Sequence, residues 1–166
     1  EIAGRNGAEL VSTPEVLRLC EERVPGLRQH PMNLGGSLHL PFGKVRMTMA
    51  KHSSGVAGGI ACGYVVYIGG LQIYFAGDTA LFGDMQLIGR KDEIDYAILP
   101  IGDNYTMGLE DAALAAQWLN ARHVIPVHYN TWPVINQDVR HYKELTEAMS
   151  RAEVHIVEPA ATIELD

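Results

Sequence analysis

Three segments of this chain share one layout: a short apolar run that reads as a β-strand and stops on a side chain able to bind a transition metal. The clearest is Leu71-Gln72-Ile73-Tyr74-Phe75-Ala76-Gly77-Asp78-Thr79. Ile73 and Phe75 alternate with Gln72 and Tyr74 in a β-branched and aromatic run, the pattern of a half-buried strand. Gly77 permits a tight turn where the strand stops, so Asp78 stands at its carboxyl end beside Thr79. Val45 to Ala50 is a second alternating strand, followed almost at once by His52, and Val124 to Val127 runs straight into His128. Open sheets place their sites at strand carboxyl ends around a shared crevice. Imidazole and carboxylate together suit Zn, Mn or Fe. The spacings 52 to 78 and 78 to 128 exclude a local metal loop, so these residues can meet only through the fold. Three ligands with an open position would make one catalytic metal centre, because the open position is what a hydrolytic water needs.

The remaining segments predict one α/β domain over residues 1–166, with antiparallel hairpins first and strand–helix–strand units later. Glu1 to Asn6 reads as the tail of a helix and Ala8 to Val11 as a short strand. Thr13-Pro14-Glu15 opens a helix with Thr13 as its cap, and Pro25-Gly26 end it. His30 to Gly36 reads as irregular. Ser37–Leu40 and Lys44–Ala50 form a hairpin, and Cys62–Ile68 and Leu71–Ala76 form another across Gly69-Gly70. Helices are expected at 81–88, 110–121 and 139–150, strands at 96–101 and 124–127, and two closing strands at Val154–Val157 and Thr162–Leu165. In the loop Gly102–Gly108, Asp103 and Asn104 either orient substrate or a water, or make an Asx turn that caps the next helix; the turn is the favoured reading.

Composition narrows the function classes. The 13 basic and 20 acidic residues give a net charge of −7, which argues against a nucleic-acid backbone or an anionic membrane as partner. No apolar run approaches the ~18 residues of a membrane span. Cys20 and Cys62 form no Cys-x-x-Cys pair and read as reduced thiols of a cytoplasmic protein. The nucleotide-binding glycine motifs, His-Glu-x-x-His and the Gly-x-Ser-x-Gly elbow are all absent. Ser53 and Ser54 beside His52 therefore lack the setting of a serine nucleophile. The other five histidines, His30, His39, His123, His141 and His155, read as surface or structural.

Ala50-Lys51-His52-Ser53-Ser54, Ala76-Gly77-Asp78-Thr79, Leu99-Pro100-Ile101-Gly102-Asp103-Asn104-Tyr105-Thr106-Met107-Gly108 and Pro126-Val127-His128-Tyr129-Asn130-Thr131 resemble the metallo-β-lactamase superfamily, and within it a family of uncharacterised metal-dependent hydrolases. The resemblance implies a four-layer αββα sandwich with a metal site at one edge. It implies two divalent transition metals, zinc first, with manganese, iron or nickel as alternatives. Asp78 would bridge them, His52 would bind the first and His128 the second. Asp78 and Asp103 are then the candidate catalytic carboxylates, and Asn104, Thr106 and Asn130 the candidate contacts to a small-molecule substrate. A metal-bound hydroxide would cleave an ester, lactone or phosphodiester-type bond. The superfamily's leading His-x-His-x-Asp-His motif and the strands before it do not occur in the sequence, which opens on Glu1. The expectation is that this N-terminal segment is a separate chain of the same protein that docks and completes the site. A homo-oligomer is compatible with this reading. The competing reading is a non-catalytic scaffold of the same fold with a vestigial metal site.

Overall fold

The computed structural model describes residues 2–166. It contains α1 (Ile2–Asn6), β1 (Leu10–Ser12), α2 (Pro14–Arg23), β2 (Gln29–Pro31), β3 (Ser37–Leu40), β4 (Gly43–Met49), β5 (Cys62–Ile68) and β6 (Leu71–Phe75). These are followed by α3 (Met85–Lys91), β7 (Tyr96–Pro100), α4 (Leu109–Leu119), β8 (His123–Val127), a 3-10 turn (Pro133–Ile135), α5 (Val139–Met149) and β9 (Glu153–Val154). The helix expected at Glu1–Asn6 is present from Ile2; Glu1 lies outside the described residues.

Strands β3 to β9 form one seven-stranded sheet in chain order. The two glycine-turned hairpins make its antiparallel half, and β6 through β9 run parallel, as expected for strand–helix–strand units. Residues Val65, Tyr74, Ala97 and Val124 face α3–α5 and form the main core with Met85, Leu99, Leu119, Tyr142 and the buried alanines of α4. At about 25 cal/mol per Å² of apolar surface buried, this helix-covered face is the chief source of stability. The ion pair Arg46–Asp92 is buried beside it and shares Asp92 with the Tyr67 hydroxyl.

On the opposite face, β1 and β2 pair as a small parallel sheet held by the Tyr64 hydroxyl, which donates to the Val11 carbonyl at 2.8 Å. The layer order helix, sheet, sheet, helix is therefore present, with α2 outermost. Farther along this face the cover stops. Phe75 is 42% exposed and Val127 37%, with Ile98 and Ile125 half-buried between them. No described helix is long and apolar enough to cross a membrane.

Several local expectations change. Thr13 does not cap α2 through its side chain; its hydroxyl is buried without a partner. The helix expected at 81–88 begins at Met85, because the Ala80 amide is held by the Lys51 carbonyl at 3.1 Å and keeps the chain extended past Asp78. The segment read as irregular contains β2. The two closing strands shrink to Glu153–Val154. Even-numbered residues of β8 face β9, as the bond from the His155 amide to the Val124 carbonyl shows. The next such position is Pro126, which has no N–H to continue the ladder.

Candidate metal centre

The site begins where the parallel strands end. Gly77 follows β6 with φ 67°, and a β-carbon there would sit 3.0 Å from the Cys62 carbonyl oxygen, so only glycine fits the turn that presents Asp78. Thr79 is fully buried: its hydroxyl accepts the Lys51 amide at 2.8 Å and donates to the Ala80 carbonyl at 2.7 Å. These bonds stitch the loop carrying His52 to the loop carrying Asp78. The His52 Nδ1 lies 2.8 Å from the Ser53 carbonyl oxygen. A carbonyl can only accept, so Nδ1 donates this bond and Nε2 is the nitrogen left to face a metal.

His128 ends β8 in a left-handed conformation, φ 56°. Its Nε2 faces Asp78 Oδ2 at 3.8 Å, with the carboxylate 53% exposed and the imidazole 22%. That distance is too long for a hydrogen bond. It is within the span of two donors sharing one ion at ~2.0–2.2 Å each. Nδ1 of the same ring is buried with no partner. Donor type and spacing fit a metal ligand. Gly102 makes this position possible: a β-carbon there would collide with the His128 carbonyl oxygen and lie 3.0 Å from Nδ1. The Trp132 indole meets the imidazole edge-on at 5.7 Å.

The three expected ligands do not converge on one point. No choice of one donor atom each from His52, Asp78 and His128 places all three within 4.8 Å of one another. Asp78 pairs with His128, while His52 is tied to the same loop through its backbone.

Asp103 and Asn130 are also left-handed, with φ 60° and 57°. Among the described residues, three of the five non-glycine residues with positive φ thus lie in the loops after β7 and β8, where such strain often accompanies function. The Asp103 amide donates to the Met107 carbonyl at 2.9 Å and its carbonyl accepts the Thr106 amide at 2.5 Å. The expected helix cap is corrected: the cap position of α4 is Gly108, without a side-chain bond, so the exposed Asp103 carboxylate is not used there. Asn104 is exposed, and the Thr106 hydroxyl is buried without a partner. Asn130 Oδ1 accepts the Gln137 amide at 2.7 Å, which commits one end of that side chain to the loop. Gln137 also reaches the Gly102 carbonyl at 3.5 Å, joining the two loops. Sequence reading missed Gln137 and the roles of Gly102 and Trp132; only Gly102 carried a local signal, as a glycine next to a buried strand.

A family model described as a beta-lactamase superfamily domain matches residues 3–129, a span that includes His52, Asp78 and His128. The chain belongs to the metallo-β-lactamase superfamily. It is 47% identical over 166 residues to a UPF0173 metal-dependent hydrolase of Natranaerobius thermophilus, covering all of this chain and 74% of that relative. It is 45% identical over 172 residues to the protein of the same name from Pelotomaculum thermopropionicum, covering 99% of this chain and 75% of the relative. The solved structure of Igni18, a metallo hydrolase from Ignicoccus hospitalis, superposes with a TM-score of 0.90 at 36% identity, over 98% of this chain and 70% of that one. The chain is thus a member of the superfamily's metal-dependent hydrolases, and membership implies divalent metal ions as cofactors.

Proposed function

We propose that Asp78, His52 and His128 are ligands of a two-metal hydrolytic centre in which Asp78 is shared by both ions. The observation that carries this reading is the 3.8 Å approach of Asp78 Oδ2 to His128 Nε2 at the carboxyl ends of β6 and β8. Imidazole and carboxylate donors favour zinc, with manganese, iron or nickel as alternatives. When bound, such ions activate a water and polarise the scissile group of an ester, lactone or phosphodiester-type substrate.

The chain's own residues do the rest. The Ser53 carbonyl fixes the His52 tautomer, and Gly102 and Trp132 fix the ring of His128. Asp103, exposed one residue beyond Gly102, orients the attacking water or the substrate. Asn104, Thr106 and the free end of Asn130 contact the substrate. The remaining ligands come from a further segment of the protein docked on the uncovered apolar face around Phe75 and Val127.

The test is metal analysis of the purified protein together with a panel of chromogenic phosphodiester, carboxylic ester and lactone substrates. One to two equivalents of a transition metal with turnover on one of these classes is expected. A metal-free, inert and tightly oligomeric protein would instead favour the scaffold reading.

A further inference from the structure

A second set of metal donors lies at the other end of the parallel strands. His123 begins β8 and stands opposite Glu153 of β9 in the strand register, and His155 follows two residues later on the same face. His123 Nδ1 lies 3.0 Å from His155 Nε2 and 3.8 Å from Glu153 Oε2, and His155 Nε2 lies 4.0 Å from that same oxygen. A triangle with these sides has a circumscribed radius of about 2.1 Å, the length of a zinc–nitrogen or zinc–oxygen bond. A point equidistant from the three donors is thus already at bonding distance from each.

The positions are held by the backbone. The His123, Glu153 and His155 amides donate to the carbonyls of Asp95, Arg122 and Val124 at 2.8, 2.9 and 2.9 Å. The buried ring of Tyr96 stacks on His123 with centroids 4.7 Å apart and leans on His155 at 6.3 Å. Glu153 is 62% exposed and the imidazoles 26% and 29%, so an ion can enter from solvent. His123 is five residues from His128, or ~16 Å along an extended strand, so this is not part of the centre described above.

We infer that His123, Glu153 and His155 bind one divalent transition-metal ion of the zinc class, which pins the edge strand β9 to β8. Two imidazoles and one carboxylate leave a position for water. The ion adds cross-strand bonds where Pro126 has cut the hydrogen-bond ladder short, so its role is to stabilise the sheet edge.

The test uses the full chain carrying Asp78→Ala and His128→Ala, which removes the first centre. Equilibrium dialysis against zinc, then against cobalt(II), should leave about one bound equivalent, with visible cobalt ligand-field absorption and a Tm that rises with added zinc. Adding Glu153→Gln or His155→Gln should abolish the equivalent, the absorption and the rise in Tm. Glu153→Gln replaces an exposed side chain by its isostere and keeps the test valid if a histidine variant does not fold. Retention of the equivalent in Glu153→Gln and His155→Gln would overturn the proposal. So would a double variant that binds no metal, which would leave only a hydrogen-bonded histidine pair.

Discussion

The two ends of β8 each carry a histidine, and the chain treats them in opposite ways. His123 sits in regular sheet, its amide in the ladder and its ring facing a register partner. His128 has left the sheet through a left-handed turn, and its ring lies against the loops that follow β6 and β7. Regular pairing brings donors together by register, whereas the strand ends bring them together by loops that must be bent and then braced. The first arrangement needs no strain; the second needs Gly77, Gly102 and several left-handed residues.

The largest expected effect separates the two ends directly. Asp78→Ala should lower kcat/KM by about 10³-fold or more, ~4 kcal/mol of lost transition-state stabilisation, and should remove more metal than His52→Ala or His128→Ala. It should leave zinc binding at His123 and His155 intact. Metal counts that fall equally in all three variants would show that Asp78 is not shared. Next comes Gly102→Ala. The new methyl must push the His128 carbonyl aside, and a displacement of that kind costs ~10²-fold in rate while the fold persists. Steady-state kinetics beside a circular dichroism spectrum would check it; unchanged kinetics would mean that the position of His128 is irrelevant to turnover.

Trp132→Ala is smaller again. An edge-on aromatic pair contributes ~0.5–1.5 kcal/mol, so a loss of up to about tenfold in kcat/KM is expected, without loss of metal if Trp132 only steadies the ring. Glu153→Gln, at the far end, should leave turnover within about twofold. A drop comparable to that of Asp78→Ala would mean that the two ends of β8 are coupled.

This contrast also explains what could be read from the sequence. Strand and terminal donor are adjacent along the chain, with Gly77 between them in one case, so Asp78 and His128 stood out from local pattern alone. The hairpin across Gly69-Gly70 and the parallel half of the sheet were legible for the same reason. His123, Glu153 and His155 looked unremarkable because register between β8 and β9 decides their meeting, and register is not a local property. The pairing of β1 with β2 is equally non-local, since Leu10 meets Gln29 across α2. Caps were misread where tertiary packing competed with them. Thr13 turns its hydroxyl inward, and α4 starts at Gly108 without a side-chain cap, whereas Asp138 does cap α5, accepting the Arg140 and His141 amides at 3.0 and 3.1 Å.

The smallest predicted effect concerns the residue between the two histidines. Pro126 faces β9 and has no amide hydrogen, so the ladder stops after the bond from His155 to Val124. Pro126→Ala supplies a donor aimed at the His155 carbonyl and lets β9 continue toward Val157. A net hydrogen bond contributes ~0.5–1.5 kcal/mol, partly offset by the freedom that replacing proline restores to the unfolded chain, ~0.4–1 kcal/mol. Global stability should therefore change by less than about 1 kcal/mol, while hydrogen exchange shows a newly protected amide at position 126. A longer β9 would fix the backbone on both sides of His155 and hold its ring at the His123 end of the strand. Zinc retention should then tighten at that end while turnover at the His128 end stays the same. If position 126 exchanges freely in the variant, β9 stops for a reason other than the missing N–H.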